Sequence, residues 1–297
     1  MDNILADADE LDKRYIDLSA TTESKTVPPP TTWSREIIPP SFRILDKQFN
    51  PEPGKTQSLD AISEALELHE CFVLLGAPGA GKSMTLKKLQ LDRAKLAQQN
   101  PEARIPILIN LALWHDDIID LQQFLNIQLQ AVPLVPLERA LILLDGLNEM
   151  PSKKYVERVK MFEKWLQIHP KLSIIIGCRE RHYQQSKKLT LPTVQIAPFD
   201  AKRIQLFLQA YLGSEAATQL LSQLGPLEPQ QRSARDLIHL ADNPFLLFMI
   251  CYVYTQNQEQ LPSSRGNYFK CLCRFYTSVN RIRERQQVSV IKILFMG

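Results

Sequence analysis

Gly76-Ala77-Pro78-Gly79-Ala80-Gly81-Lys82-Ser83 decides the fold. These residues fit G-x-x-x-x-G-K-[ST], the spacing of a phosphate-binding loop. The chain has ten glycines, and three fall within this stretch. An apolar run, Cys71 to Leu75, leads in, and a helix-forming run from Met84 to Gln98 leads out. Strand, glycine loop and helix in that order give the pattern its mechanism. Glycine lets the main chain wrap a phosphate with no Cβ in the way. The loop amides then form an anion nest, and the helix start adds its partial positive charge. Lys82 is expected to reach the β- and γ-phosphates, and the Ser83 hydroxyl to ligate Mg²⁺. Gly76, Ala77, Pro78, Gly79, Ala80, Gly81, Lys82, Ser83 and Met84 are the expected nucleotide-binding residues, with ATP or ADP and Mg²⁺ as cofactors.

The bulk numbers suit this reading. A length of 297 residues allows one large domain or two smaller ones. With 44% hydrophobic and 23% charged residues, the chain has an ordinary globular composition rather than a disordered or membrane one. A net charge of +3 is no argument for nucleic acid, which is a disfavoured but open partner. Seven basic residues against one acidic crowd Arg265 to Gly297; this reads as a solvated helix face ahead of an anionic partner surface.

Cys71, Cys178, Cys251, Cys271 and Cys273 follow no metal spacing. Cys71 and Cys178 lie in apolar runs, as small buried hydrophobes in a reducing compartment do. The start, MDNILADADELDKR, lacks the apolar core of a signal peptide. No apolar run reaches the ~18 residues of a membrane span. A cytoplasmic location is expected. His69, His115, His169, His182 and His239 show no metal spacing, and Trp114-His115-Asp116 reads as a loop cluster rather than part of the site.

Residues 1–54 read as an N-terminal arm and Pro-rich linker, with five prolines between 26 and 40. From 55 to 198, strands read at 71–75, 105–111, 140–145, 173–178 and 193–196, the first four as near-continuous apolar runs, alternate with helical patterns at 59–68, 83–98, 120–130 and 153–168. That alternation predicts an α/β fold with a parallel sheet flanked by helices. From 199 to 297 the pattern is helical: 200–212, 215–224, 234–241, 244–256 and 266–285. This predicts a small all-α subdomain with Asp200 as an N-cap and Pro244 in a first turn.

Leu141-Ile142-Leu143-Leu144-Asp145 is a buried strand ending in a carboxylate. Ligands of open α/β sheets lie beyond the carboxyl ends of the strands, so Asp145 is the expected second holder of Mg²⁺. Glu149, four residues on, is the candidate to orient or deprotonate the attacking water. Arg179, at the end of the next apolar run, is placed to reach a γ-phosphate.

Gly76–Ser83, Leu141 to Pro151 and Ile176-Gly177-Cys178-Arg179 together resemble the NACHT NTPases, of the STAND class of signalling ATPases. Gly146 directly after the metal aspartate is distinctive, because many other AAA-like ATPases carry their glutamate there. The likeness continues through Gln195 to Asp200, Arg203-Ile204, Phe207-Leu208 and Leu240 to Leu247, and then Leu261-Pro262, Arg265-Gly266 and Tyr268. It implies a P-loop NTPase with an ADP-locked resting state and an ATP-bound, self-oligomerising active state, answering to an unknown trigger or effector in signalling or defence. It also implies that Pro244 approaches adenine and, by analogy, that Ile38 to Phe42-Arg43 lie against the base.

Asn148 stands where many members carry aspartate, so slow hydrolysis is expected. The expected winged helix, sensor repeats and a recognisable effector domain do not follow from this sequence, which reads as a truncated chain. Two alternatives stay open: a P-loop enzyme or motor with a helical lid, and a non-hydrolysing nucleotide-dependent interaction module. A GTPase is disfavoured because no N-K-x-D motif occurs.

Overall fold

A computed structural model of the chain describes residues 13–23, 56–115, 118, 120–129, 136–233, 236–262 and 268. The Ile38–Arg43 stretch, most of the basic tail and the helix expected at 266–285 lie outside them, apart from Tyr268. The chain divides into two units, Met1–Pro198 and Phe199–Gly297.

The first unit is built on β1 (Ala20–Glu23), β2 (Thr56–Leu59), β3 (Cys71–Gly76), β4 (Ile105–Asn110), β5 (Ala140–Asp145), β6 (Ser173–Arg179) and β7 (Thr193–Ile196). They form one sheet in the order β2-β1-β7-β3-β6-β5-β4. The five strands from β7 to β4 are parallel. Their β-branched and leucine-rich runs are buried almost end to end in β3, β5 and β6, as a sheet covered on both faces requires. The helices are α1 (Ile62–Leu68), α2 (Lys82–Gln99), α3 (Leu121–Leu129), α4 (Tyr155–Ile168) and the short α5 (Glu180–Gln185). Helix α2 turns Thr85, Leu86 and Leu89 inward, a helical spacing, and lies against β3 to β6.

The five expected strands became the five parallel strands. Three details differ from the sequence reading, the first being the short helix α5, which was not expected. Ala20–Glu23, assigned to the arm, is an internal strand of the sheet, antiparallel to both β2 and β7. The helix expected from Leu59 begins at Ile62, because residues 56–59 form β2. Both strands have four residues and a polar composition, so period-2 patterning gave no signal. The sheet is therefore mixed at that side.

Trp114 belongs to the core. It stacks on Phe124 at 5.3 Å, meets Phe162 edge-on, and lies 4.7 Å below the Arg158 guanidinium, which donates to His115 O at 2.9 Å. The loop-cluster reading of Trp114-His115 thus has a packing cause, an aromatic floor for a buried cation.

The second unit consists of α6 (Ala201–Leu212), α7 (Ser214–Leu224), α8 (Ile238–Ala241) and α9 (Pro244–Gln256) among the described residues. Asp200 caps α6 by accepting from Arg203 N at 2.8 Å. Asn243 caps α9 by accepting from Phe245 N and Leu246 N, with Pro244 at the first helical position. Helix α8 is shorter than the 234–241 expected, and 234–235 lie outside the described residues.

Candidate functional site

Topology places the site. The chain leaves β3 for β4 at the far edge, returns strand by strand through β5 to β6, then crosses to β7 on the other side of β3. The carboxyl end of β3 is thus the switch point of the parallel sheet, where ligands of open sheets lie. Gly76 ends β3 there, and the loop runs through Gly79 (φ +77°) and Gly81 (φ +97°) into α2. Those left-handed angles suit glycine. Gly76 is needed for a different reason: a Cβ there would lie 3.2 Å from Ala80 Cβ, within the curl of the loop.

Lys82 Nζ lies inside that curl. It donates to Gly76 O at 2.8 Å and Ala77 O at 3.0 Å, so the loop's own carbonyls hold it over the loop mouth. Burial, and then the Arg179 guanidinium, hold its pKa below the ordinary lysine value, against the pull of Asp145, Cys178 and Glu149. Ser83 and Met84 are exposed in the first turn of α2. Ala77 and Pro78 at the loop tip share the wall of an open cleft of about 660 Å³ with Asn148, Arg179 and the exposed side of α5.

Strand register brings Arg179 beside Gly76, its partner across β3 and β6. Asp145 ends β5, one strand further away, with β6 between it and the loop strand. Its carboxylate overlies β6 at Gly177, where a Cβ would come within 3.1 Å of Asp145 Oδ1 and 3.3 Å of Leu86 Cδ1. The sequence reading named Gly177 only within the Ile176–Arg179 likeness and gave it no role. A glycine within an otherwise bulky strand marks a close approach and was the available signal.

After Asp145 the chain makes a 3-10 turn over Leu147–Glu149, entered through Gly146 at φ +86°. Glu149 folds back over that glycine, with Oε2 3.0 Å from where a Cβ would sit. Asn148 Oδ1 accepts from Arg179 N at 2.9 Å and so ties the β5 turn to the end of β6. This contact, too, was missed. Cys178, between Gly177 and Arg179, is fully buried and its thiol pKa is pushed up to about 12 by burial, which makes it packing rather than a nucleophile.

The residues fit a nucleotide with its divalent ion. Mg²⁺ takes few protein ligands and draws the rest from phosphate and water. One hydroxyl, Ser83, and one carboxylate, Asp145, with a cradle at Gly177 that a side chain would fill, match that requirement. Among the described residues no three His, Cys, Asp or Glu side chains converge into a self-sufficient metal cage.

Residues 70–215 match the family model of the NACHT domain. The chain carries a NACHT domain. The matched segment contains the loop, Asp145, Glu149 and Arg179, and it ends within α7. NACHT domains are P-loop NTPases, so the domain is a nucleotide-binding one. No curated protein matches the sequence.

Among solved structures, the chain is similar to PCH-2 of C. elegans at 12% identity and a TM-score of 0.36, with 72% of this chain covered and 59% of that one. It is also similar to domain III of the Thermotoga maritima replication initiation protein DnaA at 18% identity and a TM-score of 0.40, with 67% of this chain and 85% of that one covered. Pro244, at the first position of α9, lies in the second unit and beyond the matched residues, so its approach to adenine rests on the resemblance alone. Among the described residues no helix is long and apolar enough to cross a membrane.

Proposed function

We propose that this protein is an ATP- and Mg²⁺-binding switch of the STAND type, in signalling or defence, with slow hydrolysis. The observation that carries the reading is Lys82 Nζ held over the loop mouth, with Arg179 alongside and the Asp145 carboxylate over Gly177 of the strand between. Gly76 to Ser83 would wrap the phosphates, Met84 would flank them, and Pro244 would approach adenine. Ser83 and Asp145 would hold Mg²⁺, which when bound neutralises charge on the β- and γ-phosphates. Glu149 would orient or deprotonate the attacking water. Arg179 would read the γ-phosphate. A cytoplasmic site of action and self-association in the ATP state belong to the same reading.

Two observations favour slow turnover. The Asn148 side chain is engaged with the Arg179 main chain, which leaves Glu149 as the acid of this turn. Glu149 is also curled back over Gly146. The same geometry supports, as a second reading, a module that binds nucleotide without hydrolysing it.

The test is mass spectrometry of nucleotide released from the purified protein, paired with ADP and ATP titrations. Lys82→Ala should weaken binding by about 100-fold or more, because a charge-assisted contact to phosphate is lost. Wild-type affinity in that variant rejects the site. Glu149→Gln should keep ADP affinity and lower ATP turnover; unchanged turnover removes Glu149 from its role, and no turnover in the wild type selects the second reading.

A further inference from the structure

We propose that Tyr15 and Leu18 are positioning residues for the phosphate loop, forming a brace from the N-terminal segment that holds Gly81 and the first turn of α2 in place. The brace rests on reading Gly76–Ser83 as the nucleotide site.

Leu18 is 3% exposed, and its Cδ1 lies 3.0 Å from where a Cβ on Gly81 would sit, so it packs directly on the Gly81 main chain. Gly81 is the left-handed residue, at φ +97°, through which the loop enters the helix. Four residues on, Thr85 is 1% exposed, and its N–H donates to Gly81 O at 2.9 Å, closing the first turn. Tyr15 OH donates to Thr85 Oγ1 at 3.3 Å, while Lys88, one turn further, lies 5.9 Å from the Tyr15 ring centroid. Burial pushes the Tyr15 phenol up to about 12, so it remains a donor at neutral pH.

The other end of the segment is anchored. Ser19 O accepts from Ala197 N at 2.9 Å, and Ala20 begins β1 between β2 and β7. Residues 15–19 therefore run from the sheet across the start of α2. Nothing in the loop motif supplies this support, because the residues that give it lie some 60 to 70 positions earlier in the chain. The arrangement links the N-terminal segment mechanically to phosphate affinity. A displacement of β1 would reach Gly81 through Leu18.

The test uses the full chain and two probes in the presence of Mg²⁺, ADP and inorganic tripolyphosphate, titrated by calorimetry. A brace acts on the phosphate loop, so both probes must be affected alike. Tyr15→Phe keeps the ring and loses one hydrogen bond, with about threefold to tenfold weaker binding of both probes expected. Leu18→Ala should weaken both by about tenfold or more and speed hydrogen exchange at Gly79–Ser83. Leu18→Met, of similar volume, should stay near wild type. Unchanged affinities in Tyr15→Phe and Leu18→Ala overturn the brace, as does a loss confined to ADP, which would assign the pair to the base. A wild-type protein that binds neither probe removes the nucleotide reading and the brace with it.

Discussion

Asp145 Oδ1 lies 3.1 Å from where the Cβ of Gly177 would be. The carboxylate extends over β6, the strand that separates β5 from the loop strand, and the missing side chain is the passage it uses. The position of the Asp145 carboxylate, on the strand beyond β6, thus depends on a glycine in the strand between.

Gly177→Ala should move that carboxylate. The added methyl group also faces Leu86 and Leu144 O, so overpacking of about 1–3 kcal/mol is expected in the thermal melt. The specific effect is on the metal. ADP titrated with Mg²⁺ should bind about tenfold more weakly than to wild type, whereas ADP with EDTA should bind the same. Equal losses under both conditions would show that Gly177 serves only the fold.

Lys82 should make nucleotide binding pH-dependent. Its pKa in the folded protein is depressed, first by burial and then by Arg179. Between that value and the unfolded one, the unfolded chain binds more protons, so this group makes the nucleotide-free protein more stable as pH rises through the window. A polyphosphate beside Nζ raises the pKa again. Binding then takes up protons, and affinity falls as pH climbs through the free-protein pKa. Calorimetry at alkaline pH in buffers of different ionisation enthalpy should show proton uptake in the wild type and none in Lys82→Met.

Asn148→Ala frees the Arg179 N–H and unties the β5 turn from β6. The loss of one hydrogen bond costs about 0.5–1.5 kcal/mol. ADP affinity should hold while ATP turnover falls, because Arg179 and Glu149 lose their common anchor. Asn148→Asp keeps the acceptor and adds a carboxylate, so turnover should be at or above the wild-type rate. Parallel ADP titrations and phosphate-release assays check both variants.

Gly146→Ala and Gly213→Ala make a matched pair. Both glycines have positive φ, +86° and +81°, but a Cβ at Gly213 meets nothing within 4 Å, whereas one at Gly146 lies against Glu149. Each should lose about 1–2 kcal/mol in urea unfolding from backbone strain. Only Gly146→Ala should also change ATP turnover, by displacing the glutamate. Equal turnover in the two variants would separate Glu149 from catalysis.

The sequence by itself determined the loop, the five parallel strands and the helices α2, α3 and α4 between them, and it marked Asp145 at a strand end. These features are local: glycine spacing, continuous apolar runs and helical periodicity act over a few residues and survive in any tertiary setting. The cap at Asp200 and the first-turn place of Pro244 were legible for the same reason, since a cap bonds amides two or three residues away and proline suits the first turn. Only the tertiary structure decided that Ala20–Glu23 joins the sheet, that Leu18 packs on Gly81, that Gly177 underlies Asp145 and that Asn148 holds the Arg179 main chain. Each joins residues that are distant in the chain or on separate strands. Such pairs are chosen by strand order and register, which short-range pattern does not encode.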